Sequence, residues 1–303
     1  MSPIKILDAS LRDGGHRTNF HFSDEELKNI LEPLDQTGLN YIEIGYRNGS
    51  LHPIENLGRA GYCHKDYLLQ CQSLIRKSNI AVMVHPKNTE QSDLEELKDC
   101  GVQLLRICIA KNDLDSALPI ISMAKKNHLE ISLNFIHLSY YSDDELANIV
   151  KQASQYEPDM IYFADSNGTL FPQKIKAIYE QYTKKYAIPF GFHAHDNLGL
   201  AQANAIAAIE AGASLIDTSL AGMGKGIGNL KTEFFIAYLH ALDIKTYSLE
   251  HALLAANYVR TELNIGHEAI EMGEFIRGIT NLSTADLKRL QTQKTSLQDS
   301  KIN

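Results

Sequence analysis

The chain has 303 residues, with 37 acidic against 29 basic side chains, a formal net charge of -8 at pH 7 and a mean hydropathy of -0.22. Charges of both signs are interspersed, so there is no basic stripe for nucleic acid and no polybasic anchor for a membrane. No run reaches the ~18 consecutive apolar residues of a membrane-spanning helix, which leaves small-molecule partners as the favoured class.

In chain order, Met1-Ser2-Pro3 runs straight into a strand-like segment with no charged leader or apolar signal core, so a cytoplasmic location is expected. Short aliphatic or β-branched runs then recur every roughly 25 to 40 residues, separated by helix-like stretches. They are Ile4 to Asp8, Tyr41 to Gly45, Ile80 to Val84, Leu104 to Cys108, Ile131 to Phe135, Met160 to Ala164, Phe190 to His195 and Leu215 to Ser219. Strands alternating with helices predict an α/β fold with a parallel sheet, and the repeat number predicts closure into a (β/α)8 TIM barrel. The length alone would suggest two domains, but α/β barrels use such a length as one.

Ser23 with Glu26, Ser92 with Glu95 and Ser142 with Glu145 fit the Ser-x-x-Glu capping box, which satisfies two orphan N–H groups at a helix start. Gly38, Gly101 and Gly212 are expected to end helices in a left-handed conformation. The cysteines, Cys63, Cys71, Cys100 and Cys108, lack CxxC spacing and are expected to be buried free thiols. After Ser219 come a glycine-rich run from Gly222 to Asn229, a helical region to about Asn264, another from about Glu268, and a polar tail expected to fray. The expected division is a barrel over residues 1–240 and a short helical extension over residues 241–303.

Two strand ends carry most of the chemistry. His193 and His195 alternate along a strand, so both imidazoles share a face and could grip one ion; the plain alternative is an ordinary strand with two satisfied histidines. Asp13, at the end of the first run, would add a carboxylate. In parallel α/β folds ligands bind at this end of the strands, which favours the metal reading. Three ligands leave coordination positions open for substrate oxygens, and the set suits Mn, Zn, Fe or Co, with Mg a poorer fit.

Arg12 could neutralise an oxyanion or form a plain ion pair. Glu43 is an acid inside an apolar strand, a position that demands a partner, and Arg12 is the natural one. His16 could be a general base, since imidazole titrates near neutrality, or an exposed loop histidine. His21, His85 and His137 are read as ordinary. Ser166, in Asp165-Ser166-Asn167-Gly168, could hold a carboxylate or cap a turn. The glycine-rich run matches neither G-x-G-x-x-G before a helix nor the Walker pattern and is expected to be a mobile loop closing over substrate.

The segments Leu7-Asp8-Ala9-Ser10-Leu11-Arg12-Asp13-Gly14-Gly15-His16, Glu43 in its strand, and His193-Ala194-His195-Asp196-Asn197 resemble the DRE-TIM metallolyase superfamily. Within it, Arg-Asp-Gly-x-His and Ser219-Leu220-Ala221-Gly222-Met223-Gly224 resemble the 4-hydroxy-2-oxovalerate aldolase family. The resemblance implies that Asp13, His193 and His195 bind a divalent metal, typically Mn, with Asn229 near it. Arg12 would stabilise an enolate oxygen and Glu43 would orient it; His16 would be the base, and Ser166 would touch the carboxylate of a 2-oxo acid. The implied reaction cleaves a 4-hydroxy-2-oxo acid to a 2-oxo acid and an aldehyde, or the reverse. The extension is shorter than the aldolase family's helical docking region and its active-site tyrosine has no counterpart, so no aldehyde dehydrogenase partner is expected. The extension's helices could cover a neighbouring subunit, which makes a homo-oligomer the expected state. His-x-His-Asp-Asn is also similar to the His-x-His-Asn-Asp of Claisen-type synthases that join an acyl-CoA to a 2-oxo acid. A barrel that binds without catalysing is the alternative of another class.

Overall fold

The computed structural model describes residues 3–50, 53–267, 276–277 and 279–289. The strands are β1 (Lys5–Asp8), β2 (Tyr41–Arg47), β3 (Asn79–Val84), β4 (Val102–Ile109), β5 (Glu130–Phe135), β6 (Met160–Asp165), β7 (Phe190–Ala194) and β8 (Leu215–Thr218). They pair in sequence order and in parallel, with β8 returning to β1 to close the barrel. Helices α1 (Asp24–Gln36), α2 (Lys65–Leu74), α3 (Gln91–Asp99), α4 (Leu114–Lys126), α5 (Asp143–Ser154), α6 (Pro172–Thr183) and α7 (Ala201–Glu210) make the crossovers that parallel pairing requires. The expected barrel is present, each strand lying within a few residues of its predicted run.

Strands covered on both faces are buried along their length, as β2 is at every residue. Alternation divides their side chains. Ile6, Ile42, Leu105 and Phe192 face the helices, whereas Leu7, Tyr41, Leu104, Met160 and Leu215 form a separate apolar plug. Further along the same strands the inward positions turn polar, with Glu43, Arg106, Asn134, Asp217 and His193 all buried. On β2 the register slips between Glu43 and Tyr46. Gly45 permits the slip, because a Cβ there would lie 1.8 Å from the Ala60 carbonyl oxygen. Such bulges re-aim side chains at barrel rims, and this one turns Tyr46 into the mouth.

The capping boxes at Ser23 and Ser142 are formed. The one expected at Ser92 is not: α3 is capped by Glu90, with Asp93 accepting from the Glu90 N–H at 2.8 Å. Arg47 and Asn48 donate to the Asp93 carboxylate, both at 2.9 Å, and this anchor sets the helix start ahead of Ser92. Gly38, Gly101 and Gly212 take positive φ, as expected, and the four cysteines are free and buried.

The helical region expected to reach Asn264 is two helices, α8 (Thr232–Ala241) and α9 (Leu249–Thr261). The break is held by Tyr247, whose hydroxyl lies 2.6 Å from the Ile4 carbonyl oxygen and 2.7 Å from Asn40 Oδ1, sharing its one proton between them. α9 buries Ala252, Ala255, Ala256 and Val259 and packs against α1 and α8. Residues 276–277, 279–280 and 284–289 are helical, whereas the expected helix start at Glu268 and the polar tail lie outside the described residues.

Candidate metal centre and its pocket

Asp13, just beyond β1, and His193 and His195, at the end of β7, converge: each offers a ligand atom within 4.8 Å of the others, and all three are buried. Asp13 Oδ1 accepts from Arg12 Nη1 at 2.9 Å, and its Oδ2 accepts from Asn229 Nδ2 at 2.7 Å and from the Lys225 N–H at 3.2 Å. His195 Nε2 faces Asp13 Oδ2 at 3.9 Å. Among the described residues, the buried His193 Nε2, His195 Nδ1 and Asn229 Oδ1 have no hydrogen-bond partner. Burying such groups unsatisfied is costly, and a divalent cation between the carboxylate and the imidazoles would take up His193 Nε2 and Asn229 Oδ1; the donor set fits.

The protonation states suit ligation. Burial pulls His195 down to about 3, against the pull of Asp13, so its ring is neutral near pH 7. Burial opposes the Asp13 charge, but Arg12, His195, His193 and His16 together hold its carboxyl well below the usual range. His193 Nδ1 lies 3.0 Å from Asp217 Oδ2. A carboxylate there would fix the tautomer that leaves Nε2 bare for a cation.

Arg12 and Glu43 pair as expected, Arg12 Nε donating to Glu43 Oε2 at 2.7 Å. The pair belongs to a longer ladder. Glu43 Oε2 also accepts from Arg106 Nη1 at 2.8 Å, and Arg106 Nη2 donates to Asp217 Oδ2 at 2.6 Å and to Asn134 Oδ1 at 2.9 Å. The ladder runs Arg12, Glu43, Arg106, Asp217 with cation and carboxylate alternating, and ends at the imidazole of His193. Burial works against the Arg12 guanidinium, yet Glu43, Tyr46 and Asp13 raise its pKa well above the ordinary value.

His16 lines the same cavity, its ring edge-on to Phe20 at 5.0 Å. Burial, aided by Lys225 and Arg12 and opposed by Asp13, lowers its pKa to about 4. Ser166 is at the mouth, its Oγ accepting from the His137 N–H at 2.9 Å. The glycine-rich run is pressed against the centre. Arg17 donates to the carbonyls of Gly224 and Gly226, and a Cβ at Gly224 would stand 2.9 Å from Asp13 Oδ2. The run expected to be a loop over the substrate site therefore forms one wall of it.

The pocket has a volume of about 530 Å³. Its lining includes residues that the sequence reading passed over: Arg106, Tyr46 and Tyr162, and also His85 and His137, which were read as ordinary. His85 stacks on Tyr46 with ring centroids 5.4 Å apart. His21, by contrast, stays outside and bonds the Asn56 carbonyl. Arg106 and Asp217 had the signal that exposed Glu43, a lone charge inside an apolar strand.

A family model described as HMGL-like matches residues 3–259. The chain is 34% identical over 258 residues to a 4-hydroxy-2-oxovalerate aldolase of Geobacillus genomosp. 3, spanning 84% of this chain and 76% of that one. It is 29% identical over 234 residues to an oxaloacetate decarboxylase of Mycobacterium tuberculosis, spanning 77% of this chain and 69% of the other. Among solved structures, the N-terminal domain of a candidate aldolase from Bacteroides vulgatus superposes with a TM-score of 0.84 at 28% identity, covering 96% of this chain and 97% of that domain.

Proposed function

The chain belongs to the HMGL-like family, and from that premise we propose that it is a divalent-metal-dependent aldolase that interconverts a 4-hydroxy-2-oxo acid with a 2-oxo acid and an aldehyde. The observation that carries this reading is the buried meeting of Asp13, His193 and His195 beside Arg12. Asp13, His193 and His195 would hold the ion, with Asn229 alongside; Mn is the proposed metal. When bound, the ion supplies Lewis-acid polarisation of the substrate's 2-oxo group.

The chain's own residues do the rest. In the cleavage direction, neutral His16 takes the proton of the 4-hydroxyl. The C3–C4 bond breaks, its electron pair moves toward the 2-oxo oxygen, and the former hydroxyl carbon leaves as the aldehyde. Arg12 faces the charge that develops on that oxygen, and Glu43 holds the guanidinium in place. Ser166 O–H donates to the substrate carboxylate, and the imidazolium of His16 is the local acid that can return its proton to C3. The same proposal places the chemistry in a barrel over residues 1–240, with the helices of residues 241–303 as a buttress. It also includes a homo-oligomer in the cytoplasm, without an aldehyde dehydrogenase partner. Among the described residues no helix is long and apolar enough to cross a membrane.

The test is elemental analysis of the purified chain combined with assays, after chelation and reloading with Mn, Mg, Zn or Co. Pyruvate and 2-oxobutyrate would be offered with a panel of aldehydes, and hydroxy-oxo acids in reverse. Metal-dependent C–C bond formation is expected. No metal uptake and no turnover would leave the non-catalytic reading standing. Free CoA from an acyl-CoA would favour the Claisen reading, and turnover of oxaloacetate alone would favour decarboxylation.

A further inference from the structure

Tyr46 is a side chain of the pocket that the reaction above leaves without a role. Regular alternation along β2 from the inward Glu43 would send it outward to the helices, but the register slip beside Gly45 turns it into the cavity, where it is buried. Rings then hold it on three sides. His85 stacks on it with centroids 5.4 Å apart, and Phe20 and His16 meet it edge-on at 5.8 and 6.4 Å. A ring packed this way has little room to swing.

The Arg12 guanidinium carbon lies 5.8 Å from the Tyr46 ring centroid. Arg12 acts on the phenol by charge and by hydrogen bond, and Asp13 and Cys108 act on it by charge, so the hydroxyl reaches the deep end of the cavity, beside the proposed ion ligands. A guanidinium offers donors only. In its bond with Arg12 the Tyr46 oxygen therefore accepts, and the phenol's own proton is not used there. Burial, opposed by Arg12, raises the phenol pKa above its ordinary value, so the hydroxyl keeps that proton across the neutral range.

Two substrate oxygens would come to this spot. The 2-oxo oxygen has Arg12 and the ion, whereas the C4 oxygen has His16 alone, and Tyr46 adjoins both Arg12 and His16. We propose that Tyr46 is a catalytic residue whose hydroxyl donates a hydrogen bond to the C4 oxygen of the substrate. The proposal rests on the aldolase reading. In cleavage, His16 takes the 4-hydroxyl proton, the C3–C4 electron pair moves toward the 2-oxo oxygen, and the C4–O bond becomes a carbonyl. The Tyr46 proton stays on its own oxygen throughout and steadies the charge that builds on the C4 oxygen. In the reverse direction the same bond polarises the aldehyde carbonyl for attack by C3.

The experiment compares Tyr46→Phe, which keeps the packed ring, with the parent, both as metal-loaded full chains. Exchange of the pyruvate methyl protons in D2O, followed by NMR, reports enolate formation and involves no C4 oxygen. Addition of pyruvate to the aldehyde that the parent takes best does involve one. The quantity read is the ratio of addition to exchange, which is independent of the fraction of folded protein. That ratio is expected to fall on the order of a hundredfold. A Tyr46 that merely supported Arg12 would slow both rates together, so an unchanged ratio would overturn the assignment and leave the aldolase reading intact. A parent that forms no C–C bond with any aldehyde of the panel would overturn both.

Discussion

Arg12 is the side chain on which the proposed chemistry turns. One arm contacts Asp13 and another contacts Glu43, at 2.9 and 2.7 Å, so its charge is held beside the proposed ion ligands before substrate arrives. Such preorganised charge is worth on the order of a hundredfold in rate per donor lost. Arg12→Ala is expected to lower kcat by about that factor or more while metal content stays near that of the parent; full activity in this variant would remove the mechanism. His16 carries a second expectation. Its folded pKa is lowered to about 4, so the ring stays neutral from neutrality down to that pH and is protonated only below it. The acid limb of kcat/KM should therefore lie near pH 4 and not near 6.5, and His16→Ala should lose about a hundred- to ten-thousandfold in kcat. A limb near 6.5 that persists in His16→Ala would assign the base elsewhere.

At the level of the elements, five strands contribute one polar layer: Glu43 from β2, Arg106 from β4, Asn134 from β5, Asp217 from β8 and His193 from β7. Arg106 is 1% exposed and pairs with both carboxylates, while its guanidinium stacks 4.5 Å over the Tyr162 ring. Removing one member of a buried charge network leaves the others uncompensated, at about 3–5 kcal/mol. Arg106→Met is accordingly expected to lower unfolding free energy by that amount in urea titrations, and a change below 1 kcal/mol, on the order of a surface substitution, would refute the linkage. Asp217→Asn tests the other end. It should weaken metal affinity by about 10- to 100-fold in calorimetry while the far-UV spectrum is kept, because the carboxylate behind His193 sets the ligand's orientation.

For the molecule as a whole, closure of the barrel depends on the seam between β8 and β1, and Asp8 sits behind it. Its Oδ1 accepts from the Ser10 N–H at 2.8 Å and its Oδ2 from Thr232 Oγ1 at 2.9 Å, tying β1 to the start of α8. Burial raises its pKa from 3.8 to about 6 despite these bonds. The sign follows: the folded value exceeds the unfolded one, so the stabilising contribution is complete below about 4 and is lost as pH rises through about 6. Asn cannot ionise. The stability of Asp8→Asn relative to the parent should therefore improve between pH 4 and pH 7, by about 3 kcal/mol for a shift of about two units. Denaturant midpoints at the two pH values measure this, and a constant difference would show that Asp8 stays charged in the fold.

The barrel and the core of the centre were legible along the chain because both are local. A strand's period of two puts His193 and His195 on one face wherever the strand lies, and eight alternating runs at regular spacing have few other ways to bury themselves. Glu43 was readable too, since an acid in an apolar run needs a partner. The rest required closure. Arg106 reaches Glu43 and Asp217, 63 and 111 residues away, only because the inward positions of β2, β4 and β8 meet in one layer. Tyr46 enters the mouth through a bulge, and Arg277 reaches it because Ser139, Tyr140 and Asn167 latch a segment more than a hundred residues later in the chain. Residue type and spacing specify which groups a strand can present; which strands and loops face one another across a closed barrel is decided by packing alone.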